Sequence, residues 1–149
     1  MDITYSIEIN ATPTTVFKRL ETPEMAKEWM KGVGDYEILH ETPERIGTTF
    51  RERMESDNGG LDMLGTITEF VPERVIAFRL ESKIHTVAVR YSIEPILGGS
   101  RLNINSTIRF KFPMSIASWF FGNKFKAETL SELTGECEKL KRLCETDPH

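Results

Sequence analysis

The stretch from Phe112 to Glu145 constrains this chain most. Its C-terminal half places Leu130, Leu133, Cys137, Leu140 and Cys144 at steps of three, four, three and four, so one helical face carries all of them. The cluster Trp119, Phe120, Phe121 and Phe125 precedes that stripe. Upstream, from about Tyr36 to Phe112, apolar residues instead recur at every second position, the period of half-buried strands. A long one-sided helix following a run of antiparallel strands implies a curved sheet wrapped around that helix. The space between them is either a packed core or a cavity, and the function turns on which.

Ile3, Tyr5, Ile7 and Ile9 alternate with polar residues and form a first strand with one wet face. Thr12 then suits a helix N-cap and Pro13 the first turn, with Val16, Phe17 and Leu20 on the apolar side. Thr22-Pro23 opens a second short helix running to about Met30. Strands follow over 36–41, 48–55, 61–70, 74–81, 84–93 and 101–112. Asp57-Asn58-Gly59-Gly60 is the strongest hairpin signal, and Gly122-Asn123 is expected to kink or split the last helix. Strands segregated from helices argue an α+β fold with a curved seven-stranded antiparallel sheet, formed over residues 1–149 as a single domain.

Net charge is −4 with dispersed Lys and Arg, which disfavours a nucleic-acid partner. No apolar run approaches the roughly 20 residues of a membrane span, so stable membrane insertion is not expected. The alternating N-terminus does not read as a signal peptide. Cys137 and Cys144 are seven residues apart on one helix, about 10 Å at 1.5 Å per residue, too far for a disulfide. Buried thiols and a cytoplasmic, reducing location are expected. His40, His85 and His149 lack metal-site spacing, no phosphate loop joins a strand to a helix, and no nucleophile elbow is present, so no metal or cofactor is expected. Glu128, Glu132 and Glu136 read as a wet ladder on the last helix, with Glu138 and Arg142 as a favourable pair.

Four segments carry a family resemblance: Ile7 to Phe17, Leu20 to Met30, Gly65-Thr66-Ile67-Thr68-Glu69-Phe70-Val71-Pro72, and the terminal helix ending Leu140-Lys141-Arg142-Leu143. In these the chain resembles the helix-grip proteins of the START/Bet v 1-like (SRPBCC) superfamily, specifically the bacterial polyketide cyclase/dehydrase and lipid-transport group. The resemblance implies a deep apolar cavity between sheet and long helix, used by different members for lipids, hormones, polyketides or a protein client. Each motif records turns, caps and packing, so fold analogy does not choose among those uses.

Strand parity assigns inward faces independently. It turns in Tyr36 and Ile38, Phe50 and Met54, Ile76, Phe78 and Leu80, Val87, Val89, Tyr91 and Ile93, and Leu102, Ile104, Ile108 and Phe110. The strand over 61–70 is ambiguous, because Met63 and Ile67 fall on one face and Leu64 and Phe70 on the other. Phe120, Phe121, Phe125, Leu130 and Leu133 are expected to face the sheet from the helix, and Trp29 and Met30 to flank an entrance. The expected ligand contacts are Trp29, Met30, Phe50, Met54, Phe78, Val87, Val89, Tyr91, Ile104, Ser106, Ile108, Phe120, Phe121 and Phe125. Glu52, His85 and Tyr91 are the candidates for proton transfer. Against these stand plainer roles: a filled core, rim histidines at His40 and His85, a Tyr91 hydroxyl with an internal acceptor, and a Glu52 paired with Arg90 or Arg101.

Three functions remain open on the sequence: a binder or carrier of a hydrophobic small molecule such as a lipid, isoprenoid or polyketide-like compound; a cyclase, aromatase or dehydratase acting on such a ligand; and a protein-interaction module of the chaperone-activator type.

Overall fold

Among residues 1–31, 33–54 and 60–146, which the computed structural model describes, the period-two alternation becomes one seven-stranded antiparallel sheet. Its strands are β1 (Asp2–Ile9), β2 (Val33–His40), β3 (Thr49–Met54), β4 (Leu61–Val71), β5 (Val75–Glu81), β6 (His85–Ile96) and β7 (Gly99–Phe110), in spatial order β1-β7-β6-β5-β4-β3-β2. Short helices α1 (Pro13–Glu21) and α2 (Pro23–Ala26) separate β1 from β2, and α3 (Met114–Thr146) follows β7. The expected turn at Asp57-Asn58-Gly59 and His149 lie outside the described residues; the flanking Met54 and Leu61 are paired.

Local chemistry accounts for the element ends. Thr12 caps α1 by accepting the Thr15 N–H at 3.3 Å, with Pro13 in the first turn. The ambiguity of β4 has a specific cause. Its register against β5 shifts between Ile67 and Glu69, leaving Thr68 as a bulge residue. The bulge reverses parity, so Met63 and Ile67 face inward before it and Phe70, opposite Ile76, faces inward after it. Leu64 stays on the outer face, half exposed.

The helix α3 is continuous through Gly122 and Asn123, so the expected break is absent. Cys137, Leu140 and Cys144 are fully buried against Val16, Leu20, Leu102 and Ile104. The thiol of Cys137 is pushed up to about 12 by burial. Two polar ties fix this end: Lys141 Nζ donates to the Glu8 carbonyl at 3.0 Å, and Glu145 accepts the Asn10 N–H at 2.8 Å.

The first half of α3 departs from expectation. Trp119, Phe120 and Phe121 are 83%, 68% and 67% exposed, not turned onto the sheet. A side chain built at Gly122 would meet nothing within 4 Å, although its helical phase is that of Leu133 and Leu140. The 33 residues of α3 extend about 50 Å at 1.5 Å per residue. The longest strands, at 12 residues, reach only about 40 Å at 3.3 Å per residue. Its first turns therefore run past the sheet. Phe125 is the exception, making an edge contact with Phe110 at 5.1 Å.

Candidate functional site

The interior divides along the sheet. Beside β1, β6 and β7, side chains of α1 and α3 fill the space in one continuous core. Over β3, β4 and β5, Phe50, Met63, Ile67 and Leu80 form a second cluster. Between the two lies a pocket with about 210 Å³ of water-accessible space, within about 1000 Å³ of void once its mouth is included. It is bounded by the α1–α2 segment (Leu20, Glu21, Pro23, Ala26), the turn after α2 (Trp29, Met30, Lys31), the inner faces of β2 to β6, and Leu133 and Glu136 of α3.

An aromatic chain forms one wall. Tyr36 stacks on Phe50 at 5.3 Å, Phe50 meets Phe78 at 6.2 Å, Phe78 meets Tyr91 at 5.9 Å, and Tyr91 meets Trp29 edge-on at 6.3 Å. Gly65 makes room for this wall, since a Cβ there would lie 2.2 Å from the Phe50 ring. Trp29 is 2% exposed and its indole N–H donates to the Arg19 carbonyl at 3.1 Å. It is thus part of the wall and not of an entrance, with its polar edge satisfied by backbone.

Beside Glu21 and Lys31, four further polar groups border this apolar space. Glu52 sits between Tyr36 and Met63 in register, and inward parity carries its carboxyl into the pocket. Among the described residues it has no ion pair or side-chain hydrogen bond. The expected partners are engaged on the outer face, Arg90 with Glu69 at 3.0 Å and Arg101 with Glu8 and Glu94. Burial raises the Glu52 pKa above the ordinary carboxylate range. Burial, then the nearby Glu52 charge, pushes Tyr36 up to about 12. Tyr91 is buried and its pKa is raised, first by desolvation, while its hydroxyl finds no hydrogen-bond partner among the described residues. Glu136 accepts the Lys31 N–H at 2.7 Å, and burial raises its pKa as well.

Glu136 corrects the reading of a wet ladder. It lies three residues from Leu133 and four from Leu140, so the spacing that marks the buried stripe also placed it inward. Among the described residues, the ion pair near this end of the helix joins Lys141 to Glu145, in place of the expected Glu138 and Arg142.

The pocket brings together Trp29, Met30, Phe50, Glu52, Met54, Phe78, Val89 and Tyr91. Other expected site residues fall elsewhere. Ile104 is sealed into the core beneath the helices, Ile108 is buried, and Ser106 is half-buried opposite Val89 and Ile3. Val87 packs against the β3–β5 cluster without bordering the pocket. Phe120 and Phe121 are outside it because the first turns of α3 overrun the sheet, and Phe125 packs instead on Phe110 of β7. His85 is not in the pocket. Its Nδ1 lies 2.6 Å from Ser82 Oγ, which also accepts the Ile84 and His85 N–H groups, so it belongs to the β5–β6 turn. His40 is exposed on β2.

The raised Glu52 pKa has a stability consequence. The folded chain holds this proton to higher pH than the unfolded chain, so stability falls as pH rises above about 4.5. Glu52→Gln removes that loss. The variant should match wild type in thermal midpoint near about pH 4 and exceed it near about pH 7. A difference that stays constant across this range would show that Glu52 is not a desolvated carboxyl.

Among the described residues no cluster of His, Cys, Asp and Glu could hold a metal, and no helix is long and apolar enough to cross a membrane. A family model described as polyketide cyclase / dehydrase and lipid transport matches residues 1–145. No curated protein matches the chain. Among solved structures, a protein of Thermus thermophilus aligns with TM-score 0.78 at 17% identity, covering 95% of each chain. The protein Ara h 8.0201 aligns with TM-score 0.74 at 13% identity, over 99% of each chain. The di-domain ARO/CYC protein StfQ of the steffimycin biosynthetic pathway aligns with TM-score 0.78 at 14% identity, over 97% of this chain and 50% of that one. At such identities the likeness is one of fold.

Proposed function

The chain belongs to the polyketide cyclase / dehydrase and lipid transport family, and on that premise we propose that it reversibly binds an apolar small molecule in the pocket between sheet and α3. One observation carries the reading. An apolar, aromatic-walled void adjoins two polar groups, the Glu52 carboxyl and the Tyr91 hydroxyl, that the described residues leave without hydrogen-bond partners. Both groups line the water-accessible space of the pocket, where a bound molecule can replace water as their hydrogen-bond partner. At about 25 cal/mol per Å², covering about 200 Å² of ligand contributes about 5 kcal/mol, so apolar contact supplies affinity and the polar groups set orientation. Glu52, and Glu136 across the pocket, favour a ligand end that donates hydrogen bonds over a free carboxylate.

Titration with N-phenyl-1-naphthylamine, a neutral apolar fluorophore bearing one N–H, tests this. Saturable enhancement is expected, weakened a few-fold by Glu52→Gln and little changed by Tyr91→Phe. Enhancement that rises linearly without saturation would sink the proposal.

The desolvated Glu52 also supports a second reading. A carboxyl whose pKa burial raises is suited to give its proton to a bound carbonyl as a general acid, as a cyclase or dehydratase requires. Turnover of polyketide-like substrates by wild type but not by Glu52→Gln would favour it. Intact binding with no turnover in either protein would leave the carrier.

A further inference from the structure

We propose that the projecting first turns of α3 dock reversibly on the surface of an anionic lipid bilayer. Phe112, Ile116, Trp119, Phe120 and Phe121 are exposed, and no charge interrupts residues 112–123. At steps of 100°, Met114, Ile116, Trp119, Phe120 and Phe121 spread over an arc of about 220°, with Ser115, Ser118 and Gly122 on the remaining side. Shallow immersion in the headgroup and acyl boundary covers so wide an apolar arc while the side of Ser115, Ser118 and Gly122 stays toward water. The helical part, Met114 to Asn123, is about 15 Å long, half the roughly 30 Å of a hydrocarbon core, so it suits shallow entry and not a span.

Charge indicates which surface. The protein carries a net −4, yet Lys111 and Lys124 bracket the apolar segment and Lys126 follows. Lys83 and Arg109 lie at the same end of the sheet, because Lys111 N–H bonds to the Ile84 carbonyl there. Among the described residues, the acidic groups at this end include Glu81, paired with Lys111 at 3.0 Å, Asp62, paired with Arg53 at 3.0 Å, Asp2, which accepts from Thr107, and Glu128. A basic rim around an aromatic tip, on an otherwise acidic molecule, complements anionic headgroups. Trp119 and the two phenylalanines enter the interface, and Lys124 and Lys126 remain at the level of the phosphates.

Flotation with phosphatidylcholine vesicles, with and without phosphatidylglycerol, tests the docking at low and high salt. The wild type should float with the anionic vesicles, and salt should release it. Combined Trp119→Ala, Phe120→Ala and Phe121→Ala should lower partitioning at least about ten-fold, with an unchanged thermal midpoint because these side chains are exposed. Combined Lys124→Glu and Lys126→Glu should lower it about ten-fold and flatten the salt dependence. Failure of the wild type to float with anionic vesicles at low salt would overturn the proposal. So would flotation that the aromatic triple variant retains. A stable dimer in sedimentation that the triple variant abolishes, without vesicle binding, would assign the surface to a second copy of this chain instead.

Discussion

Replacing Leu140 by alanine is expected to cost the folded state about 3–4 kcal/mol. Leu140 is wholly excluded from solvent in the core that joins α1, α3 and the β1–β7–β6 part of the sheet. Its neighbours are themselves fixed: Leu102 and Val16 are fully buried, and the Lys141 and Glu145 ties hold the surrounding helix turn to the β1 end. The surroundings therefore cannot collapse into the cavity left behind, and the loss lies toward the upper part of the range for such truncations. Against a total stability of roughly 5–15 kcal/mol, this is a large fraction. Urea denaturation reads it directly as a lowered midpoint at constant slope. A change below about 1 kcal/mol would mean that this end of α3 is not clamped on the sheet.

Leu133→Trp is expected to act in the opposite way, abolishing ligand binding while leaving most of the stability intact. Leu133 is seven residues before Leu140 on the same helical face, but it borders the pocket. Leu133 packs on the edge of the core but opens onto the void, so a larger ring at that position extends into the pocket. Saturable fluorophore binding should fall at least about ten-fold, whereas similar overpacking in a filled core costs about 1–3 kcal/mol of stability. Ala26→Phe, from the facing α2 wall, should produce the same loss. Undiminished binding in both variants would place the ligand elsewhere. The contrast between Leu133 and Leu140 separates the functional part of one apolar stripe from its structural part.

Much of this fold is legible in the sequence, because burial on one face imposes a period the residues must obey. Alternation set the inner faces of β3, β5, β6 and β7, and the spacing of Cys137, Leu140 and Cys144 set the buried face of α3. Parity fails where the backbone departs from regularity. The bulge at Thr68 is a register event between β4 and β5, and no residue type near it announces that extra residue. The projecting aromatics were misplaced for a different reason. Side-chain type shows that Trp119 and Phe120 favour apolar surroundings, but only the length of α3 relative to the strands shows that the sheet cannot supply them.

The pocket was half legible. Residues that alternation turned inward on β3, β5 and β6 border it, among them Phe50, Glu52, Phe78 and Tyr91. Which inward residues meet void and which meet helix depends on where α1 and α3 cross the sheet, a tertiary fact absent from any single strand. Ile104 and Tyr91 are direct neighbours in register, yet Tyr91 borders the pocket and Ile104 is sealed. Glu136 could have been found, since its helical phase matched the buried stripe, but a glutamate among glutamates reads as a wet face.

Native mass spectrometry of the protein after incubation with an organic extract of cells tests the central claim most directly. The 17.1 kDa wild type should carry the added mass of a single small apolar molecule, and Leu133→Trp treated identically should fly bare. A wild type that stays at its own mass, or a variant that retains the same adduct, would contradict a ligand held between sheet and helix.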